Sequence, residues 1–438
     1  MRRAAILLVL FAAGRAAANP IDAFGFGSRA AAMGNAATAA AVDIAANYYN
    51  PAGIAVTQQL AIDVGYQIAS PHMSWNDRDA GVDDTRGTYM GMVVPGKIRG
   101  VEMALGTALF LPDERLTRVK SEAITEPRFV YYDTRTQRLF LAANLGFRVA
   151  PTVWIGGGLV WMSRTQGTVD LAGRIGFPDA EQSDLRLSMN YDLEAVRYPQ
   201  FGVLWRARND LWLGLTYRAE FELDLAQTFR IEGDVGSVSS PVIQNGFIQV
   251  ASHSTDLFQP GQLAAGMAFN VTPRWLTTAD VIYEHWSGFS NPGARIDLTH
   301  DLKDFEKLVH IPATLPPQAP FFHDILVLRA GFEHGLPSHG ERLQWLVRGG
   351  YSFEPSPVPE QWGETSFADG NKHTFSTGAG VVIQRFPCLP QPLAIDAHLA
   401  WTWMPSRTTL KSRETDPVGD YTAEGWVLAT GLTARVRF

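Results

Sequence analysis

The chain ends in GWVLATGLTARVRF, residues 425–438, and this stretch alternates between two kinds of side chain. Every second residue from Trp426 to Phe438 belongs to an apolar set. The residues between them are small or are one of two arginines, Arg435 and Arg437. Successive side chains of a β-strand point to opposite faces, so the pattern predicts a strand with one apolar and one polar face. The apolar face ends on an aromatic ring and consists of Trp426, Leu428, Thr430, Leu432, Ala434, Val436 and Phe438.

The same alternation recurs in fourteen segments along the chain, and this number is even. Single-chain bacterial outer-membrane barrels have even strand counts. A tilted strand crosses a bilayer with roughly 9–11 residues, and each predicted segment is long enough. The fourteen predicted segments are roughly 59–73, 86–95, 101–112, 135–149, 153–170, 191–207, 211–229, 256–271, 274–290, 325–335, 342–354, 372–386, 393–409 and 421–438.

The links between these segments alternate in length. An up-and-down membrane barrel, with brief turns at one end and long loops at the other, produces this rhythm. A soluble β-sandwich also alternates along its strands, but its Greek-key connections give no reason for alternating link lengths. The sequence therefore predicts an all-β protein, a transmembrane antiparallel β-barrel of about 14 strands. Its long links are predicted at 74–85, 113–134, 171–190, 230–255, 291–324, 355–371 and 410–420.

Both ends of the chain carry features of an exported barrel. Residues 1–18 have the pattern of a signal peptide, with a charged start, an apolar stretch at 4–13 and AAA before Asn19. The apolar stretch is too short for the alternative, a membrane-spanning anchor. We expect cleavage near Ala18–Asn19 and a location in the bacterial outer membrane. The aromatic Phe438 at the end of an alternating strand resembles the last residue of bacterial outer-membrane barrels, and this resemblance implies that it is the signal for barrel insertion.

Residues 19–58 do not alternate. They are rich in Ala and Gly and predict short helical pieces broken at Gly34 and Pro51. A barrel of fourteen strands is wider than side chains alone can fill, so we interpret this segment as a plug, or hatch, inside the lumen. The alternative is a disordered leader. Phe24 and Tyr48 argue against it, because their aromatic rings can pack against other residues. The predicted domains are a signal peptide at 1–18, the hatch at 19–58 and the barrel at 59–438.

Composition and motifs exclude several classes of function. The net charge is −7 with no basic cluster, so nucleic acid is not an expected partner. Cys388 is the only cysteine, which excludes an internal disulfide framework and a cysteine-based metal cluster. The chain has no G-x-S-x-G, H-E-x-x-H, Walker or Rossmann motif. We expect no enzyme activity, no cofactor and no metal. A barrel-borne lipid hydrolase stays open, because a Ser–His pair on adjacent strands cannot be read from sequence.

Several segments resemble the FadL/TodX family of outer-membrane transporters of long-chain fatty acids and other hydrophobic compounds. The resemblance covers the mature chain and implies that Asn50, Pro51, Ala52 and Gly53 form the hatch motif of that family. The segments that carry it are GSRAAAMGNAATA at 27–39, NPAG at 50–53, LTYRAEFELDL at 215–225, YEHWSGF at 283–289, RGGYSFEPSPVP at 348–359 and DGNKHTFSTGAGVVI at 369–383.

The resemblance implies passive uptake of hydrophobic molecules, either fatty acids or hydrocarbons. Cargo would enter at an external apolar groove, pass to an interior site and leave sideways when the hatch shifts. In the family the sideways exit is a gap made by a kink in the third strand. The candidate region here is 91–112, where Pro95 is interpreted as the edge of a turn. The alternatives are a general porin and a surface adhesin.

Two sets of residues are candidates for cargo binding. Arg164, Arg295 and Lys372 resemble the family's interior basic sites and could pair with a carboxylate, which is costly to leave unpaired away from water. The alternative for each is a lumen-wall charge paired with a neighbouring acid. Apolar residues in the predicted loops at 171–190 and 230–255 are candidates for the external groove. They are Ile175, Phe177, Val242, Ile243, Phe247 and Ile248.

The expected partners follow from this interpretation. They are hydrophobic small molecules, the lipid and lipopolysaccharide of the outer membrane, and the barrel-assembly machinery that would recognise Phe438. We expect a monomer.

Overall fold

Fourteen strands form one closed antiparallel barrel in the part of the chain that the structure describes. The computed structural model describes residues 20–114, 126–129, 131–132, 139–176, 180–237, 240–291, 295–301, 303, 318–337, 342–363, 365–384, 391–411, 416 and 418–438. The predicted signal peptide at 1–18 lies outside them. The barrel strands are β1 (Ala61–Trp75), β3 (Thr85–Ile98), β4 (Val101–Pro112), β5 (Phe140–Ala150), β6 (Val153–Ile175), β7 (Asp184–Arg206), β8 (Leu211–Arg218), β11 (Gly261–Thr272), β12 (Trp275–His285), β14 (Ile325–Gly335), β15 (Leu343–Glu354), β16 (Lys372–Ile383), β17 (Leu393–Thr409) and β18 (Tyr421–Arg437).

The last strand closes the barrel against the first. β18 pairs with β1 from Ala61–Arg437 to Trp75–Ala423 without a register shift. The backbone N–H of Phe438 then donates to the carbonyl of Leu60 at 2.8 Å. Closure removes the open sheet edges, which is the only way that a β-sheet can span a membrane.

Burial separates a membrane barrel from a soluble β-protein. On β1 the exposed residues are Ile62, Val64 and Tyr66, and the buried residues between them include Asp63 and Gln67. The terminal strand repeats this, with Trp426, Leu428 and Leu432 exposed. A water-soluble fold buries its large apolar side chains and exposes its charges. The inverted pattern is that of a barrel in lipid, and it confirms the predicted fold class.

The links confirm the predicted rhythm. Short links join strands at one end, which we call the turn end, and long links join them at the other, the loop end. The two chain ends of the barrel, Leu60 and Phe438, also meet at the turn end. The short links are 99–100, 151–152, 207–210, 273–274, 336–342 and 384–392.

At the loop end two of the predicted loops are instead strands. β6 and β7 extend well beyond the barrel, and the link between β8 and β11 is a hairpin of β9 (Phe221–Ser237) and β10 (Ser240–Gln259). β9 pairs in parallel with β6, and β10 pairs with β13 (Arg295–Asp301). The result is a projecting sheet with the order β7–β6–β9–β10–β13. The predicted loops at 171–190 and 230–255 were therefore wrong, and so was a single strand over 211–229.

The helices are short and lie near the N-terminus. They are α1 (Pro20–Phe24), α2 (Ser28–Ala32), α3 (Ala46–Tyr49) and a 3-10 helix at Pro51–Ala55. A two-residue strand, β2 (Arg78–Asp79), and two further 3-10 turns, Ala180–Gln182 and Trp286–Gly288, complete the elements. None of the helices in the described part of the chain has the length and apolarity that crossing a membrane requires.

Candidate functional site

The N-terminal segment, residues 20–58, lies within the lumen. Its side chains from Ile21 to Ala55 are nearly all buried. They face inward-pointing positions on β4 to β8, β11 and β14 to β16. A segment that meets strands all around the barrel must occupy its interior.

Glycines of the wall let the N-terminal segment approach the strands closely. A Cβ at Gly156 on β6 would lie 2.3 Å from the carbonyl carbon of Pro51, and one at Gly202 on β7 would lie 2.1 Å from Asn50 Oδ1. The absence of a side chain is therefore what makes room for the segment. Further glycines in the same role are Gly106, Gly146, Gly214, Gly266, Gly331, Gly350 and Gly378.

The NPAG motif forms the tightest of these contacts. Asn50 is extended, and Pro51 begins the 3-10 helix, where its missing N–H costs nothing. The Asn50 amide Nδ2 donates to the carbonyls of Thr38 at 2.9 Å and Val203 at 3.0 Å, and its Oδ1 accepts from Ala52 N at 3.1 Å. Asn50 thereby ties two parts of the N-terminal segment to β7.

Buried polar groups fix the segment on the other strands. Gln200 Nε2 on β7 donates to Asn47 O at 2.6 Å and to Asn144 Oδ1 at 2.8 Å. On the opposite side, Asp280 on β12 accepts from the backbone N–H of Thr38 at 2.9 Å and from its hydroxyl at 2.7 Å. Hydrogen bonds in a low-dielectric interior are costly to break, so these contacts resist removal of the segment.

Two ion-pair clusters complete the attachment. Arg29 on α2 pairs with Glu333 at 2.8 Å, and Glu333 in turn pairs with Arg348 at 2.7 Å. Arg435 on the last strand pairs with Asp43 at 2.8 Å and with Asp63 on β1 at 2.7 Å. Burial alone would raise the pKa of Asp43, but the nearby Arg435 and Arg29 lower it below its usual value.

Aromatic rings line the interior at two levels. The first cluster surrounds the N-terminal segment: Phe26 lies 5.5 Å from Tyr89 and 6.2 Å from Phe140, and Tyr48 also lies 6.2 Å from Phe140. The second cluster lies toward the loop end and consists of Phe258, Trp286, Phe289, Phe322 and Phe367, with ring centroids as close as 4.4 Å. An interior lined in this way suits an apolar or aromatic ligand.

Lys372, a predicted cargo-binding residue, is buried beside this second cluster. Its Nζ lies 3.0 Å from Asp369, 3.1 Å from Glu354 and 4.6 Å from the ring of Tyr131. Both carboxylates therefore neutralise it. Arg164 lies within β6 and Arg295 begins β13, but the side chains of both lie outside the described residues.

The predicted groove residues lie on the projecting sheet and do not form one surface. Phe247 lines a cavity of about 550 Å³ on a charged face of the sheet, with Arg230 5.3 Å from its ring. Ile248 points to the other face and pairs with Ile231. Ile243 is half-buried nearer the hairpin tip. Phe177 and the side chains of Ile175 and Val242 lie outside the described residues.

The other face of the projecting sheet is apolar across all five strands. Leu171 is opposite Leu187 on one side and Ile231 on the other, and Ile231 is opposite Ile248. The next row contains Met189, Val169, Phe229, Val250 and Leu298. Leu187 and Met189 are each 59% exposed. This apolar face continues the outward, lipid-facing side of the barrel, because β6 and β7 pair without a register shift.

The third barrel strand, β4, is regular in this structure. It pairs with β3 from Ile98–Val101 to Gly87–Pro112 and with β5 from Met103–Phe147 to Phe110–Phe140, without a register shift in either ladder. Pro95 lies inside β3, opposite Ala104, and not at the edge of a turn. It lies beyond the last residue of β3 that pairs with β1, Val93, so its missing N–H leaves the ladder with β1 intact.

Sequence reasoning missed several interior residues. The wall glycines and Arg329, which is buried on β14, belong to no motif. Their common signal is position: each falls on the polar or small face of an alternating segment. No group of three or more His, Cys, Asp and Glu in the described part of the chain is placed to hold a metal ion.

Comparisons with solved structures agree with this fold. A FadL homologue from Pseudomonas aeruginosa aligns with a TM-score of 0.55 at 15% identity, covering 97% of this chain and 99% of that one. The P. putida toluene transporter TodX aligns at 0.54 and 13% identity, covering 95% and 99%. The Ralstonia pickettii toluene transporter TbuX aligns at 0.50 and 16%, covering 94% and 99%. At these identities the likeness shows the fold alone.

Sequence comparison identifies the family. No curated protein matches the sequence significantly. The family model described as outer membrane protein transport protein (OMPP1/FadL/TodX) matches residues 8–438, which is nearly the whole chain. The predicted resemblance is thereby confirmed. The chain belongs to the outer membrane protein transport protein family (OMPP1/FadL/TodX), as a transport channel of the outer membrane and not an enzyme.

Proposed function

We propose that the protein is a passive channel for hydrophobic molecules, with either fatty acids or hydrocarbons as cargo. The observation that carries the proposal is the aromatic lining at two levels above and around the N-terminal segment. Transfer of apolar cargo from water to such an interior is favourable, because it removes apolar surface from water. TodX and TbuX, which share the fold, are described as toluene transporters.

Capture is the first step of the proposal. The apolar face of the projecting sheet, with Ile248, Ile231 and Leu187, provides exposed apolar surface at the loop end. Large exposed apolar surfaces usually mark a binding site. Cargo collected there would pass inward to the second aromatic cluster, where Lys372 lies, and then to the N-terminal segment.

Release is the last step, and it requires the N-terminal segment to move. We propose that this segment acts as the hatch, because its ion pairs and wall contacts block the lumen. The sideways exit that the family resemblance implies belongs to the same proposal. β4 is fully paired with β3 in this state, so lateral release requires the wall near 91–112 to separate as the hatch moves.

Uptake measurements test the proposed function. Cells lacking the protein should accumulate labelled oleate or toluene more slowly than complemented cells. If the deletion changes adherence and leaves uptake unaffected, the protein is an adhesin and the proposal fails. Swelling of liposomes in small sugars would instead indicate a general porin, which a lumen occupied by residues 20–58 does not favour.

A reversible cross-link between the N-terminal segment and the wall tests the release step. The Thr38 hydroxyl lies 2.7 Å from Asp280 Oδ2 on β12, so cysteines at these two positions would be close enough for a short bis-thiosulfonate linker. In a Cys388→Ser background, Thr38→Cys with Asp280→Cys should lose uptake when linked and regain it when a reductant cleaves the linker. If the linked protein takes up cargo as fast as the unlinked protein does, this part of the segment stays in place during transport.

A further inference from the structure

The short links at the turn end of the barrel share one feature, a single arginine. Of the six links, five contain one arginine and no lysine, and the sixth, 151–152, contains neither. Each arginine stands alone in its link, so the sequence shows no basic run, and closure of the barrel brings the links together at one end. The five are Arg99, Arg208, Arg274, Arg342 and Arg385, of which Arg385 lies outside the described residues.

Three of these arginines are exposed and have no acidic partner among the described residues. No carboxylate oxygen there lies within 4.0 Å of any of them, because the acids at this end are engaged by other cations. Asp210 pairs with Arg208 at 2.9 Å, and Glu102 pairs with Arg148 at 2.9 Å. We call the three the turn-end arginines; they are Arg99, Arg274 and Arg342.

Tryptophans of the lipid-facing side adjoin two of the turn-end arginines. Trp275 directly follows Arg274, and Trp345 lies three positions after Arg342. They are 38% and 49% exposed, and the ring of Trp275 stacks on that of Phe332 with the centroids 5.6 Å apart. Tryptophans of membrane barrels concentrate where the bilayer meets water. The turn-end arginines therefore lie at the level of the lipid head groups, which their long apolar stems allow them to reach.

Arg99 places the same chemistry on another side of the barrel. It lies in the two-residue turn between β3 and β4, at a φ of 50°. The residues on either side of this turn, Ile98 and Val101, are 58% and 44% exposed on the lipid-facing side. The other two turn-end arginines lie between β11 and β12 and between β14 and β15. The three charges are thus distributed around the barrel and are not gathered on one side.

This distribution decides which partner fits. A soluble acidic protein would contact one side of the turn end and would need several charges together there. Lipid surrounds a membrane barrel on every side, and neighbouring links are two strands, or about 10 Å, apart, so each arginine can meet a different lipid. A guanidinium binds a phosphate through two parallel hydrogen bonds. A phospholipid without an ammonium group keeps the negative charge of its phosphate and is the best match.

We propose that the turn-end arginines bind the phosphates of anionic phospholipids in the leaflet at the turn end. The short turns of bacterial outer-membrane barrels face the periplasm, so this is the periplasmic leaflet. The role is additional to transport, because bound head groups would hold the barrel at a fixed depth in the membrane. Arg208 takes no part, since Asp210 already accepts two hydrogen bonds from its guanidinium at 3.0 and 2.9 Å.

Binding of two lipids that differ in charge tests the assignment. The full chain, purified in an uncharged detergent, is titrated with dioleoyl-phosphatidylglycerol or dioleoyl-phosphatidylcholine, and bound lipids are counted by native mass spectrometry. The triple variant Arg99→Gln, Arg274→Gln and Arg342→Gln should bind phosphatidylglycerol roughly five-fold more weakly, the effect of losing one arginine at each lipid site. Its binding of phosphatidylcholine should be nearly unchanged, and added salt should weaken phosphatidylglycerol binding by the wild type.

A second triple variant with the same change in net charge is the control. Arg78→Gln, Arg186→Gln and Arg230→Gln lie at the loop end, so this variant should bind phosphatidylglycerol as the wild type does. Equal losses in the two triple variants, or no loss in the first, would overturn the assignment. Displacement of phosphatidylglycerol by an equal concentration of inorganic phosphate would also overturn it, because the site would then recognise free phosphate and not lipid. Should the first triple variant not form a barrel, its three single variants carry the test.

Discussion

At the scale of single residues, the interior depends on side chains that are absent as much as on those that are present. Gly156 and Gly202 lie opposite each other on β6 and β7, and both face the NPAG turn. On the sequence alone such glycines weaken a strand. In the structure the absence of their side chains lets Asn50 and Pro51 lie directly against the wall.

Replacement of a wall glycine should loosen the N-terminal segment. At Gly156 a Cβ would lie 2.3–2.5 Å from the backbone of Pro51 and Ala52, so Gly156→Ala should destabilise the docked state by about 1–3 kcal/mol, as overpacking does. Gly96→Ala is the matched control, because its nearest neighbour would be Met103 Cγ at 3.8 Å. Protease cleavage within residues 20–58, measured in detergent, should accelerate only in Gly156→Ala. Equal rates would contradict the proposed close packing.

Asp43 should make the docking of the segment sensitive to acid. Arg435 and Arg29 lower its pKa from the ordinary 3.8, and a group whose folded-state pKa is lowered stabilises the fold above its unfolded pKa. That contribution is lost as the pH falls below about 4. The difference in protease resistance between wild type and Asp43→Asn should therefore shrink below that pH. If the difference is constant throughout the acid range, Asp43 does not contribute through its charge.

The basic residues show what a sequence can predict at this scale. Lys372 was identified by resemblance, and its burial inside the barrel follows from the alternation of β16. Its pairing with Glu354 does not follow, because it depends on the register between β15 and β16. The same holds for Arg329, whose neighbours Asp280 and Ser352 are set by the registers of β14 with β12 and β15.

At the scale of elements, alternation predicted the barrel strands well and the projecting sheet poorly. LRLSMNY at 185–191 alternates as clearly as the last strand does. All but its last residue fall in the predicted loop at 171–190, and they extend the next segment beyond the length that a bilayer requires. The parallel pairing of β6 with β9 joins residues far apart in sequence and has no local signal.

The two faces of β10 should contribute differently to capture. Ile248 lies on the apolar face, and Gln249, its neighbour, lies on the other. Ile248→Asp should raise the half-saturating cargo concentration about ten-fold, equivalent to roughly 1.4 kcal/mol of lost affinity, and Gln249→Asp should have little effect. Uptake at limiting cargo concentration measures both. An equal loss in the two variants would indicate a general electrostatic effect and not an apolar capture surface.

At the scale of the whole molecule, the inverted burial pattern has a simple experimental consequence. The exposed apolar side chains of β1 and β18 require lipid or detergent, and the closed hydrogen-bond network resists unfolding by SDS. The purified protein should therefore stay monodisperse only in detergent, and its mobility in SDS gels should change on boiling. A protein that stays soluble without detergent and migrates identically in both states would contradict a membrane barrel.

The ion pairs of Arg435 couple closure of the barrel to the position of the N-terminal segment. Arg435 lies on the last strand and pairs with Asp63, which is directly opposite it on the first strand, and with Asp43 of the N-terminal segment. A barrel that closed with this segment outside would leave the guanidinium with one of its two carboxylates. The last strand therefore completes its ion pairs only in a chain whose N-terminal segment is in place.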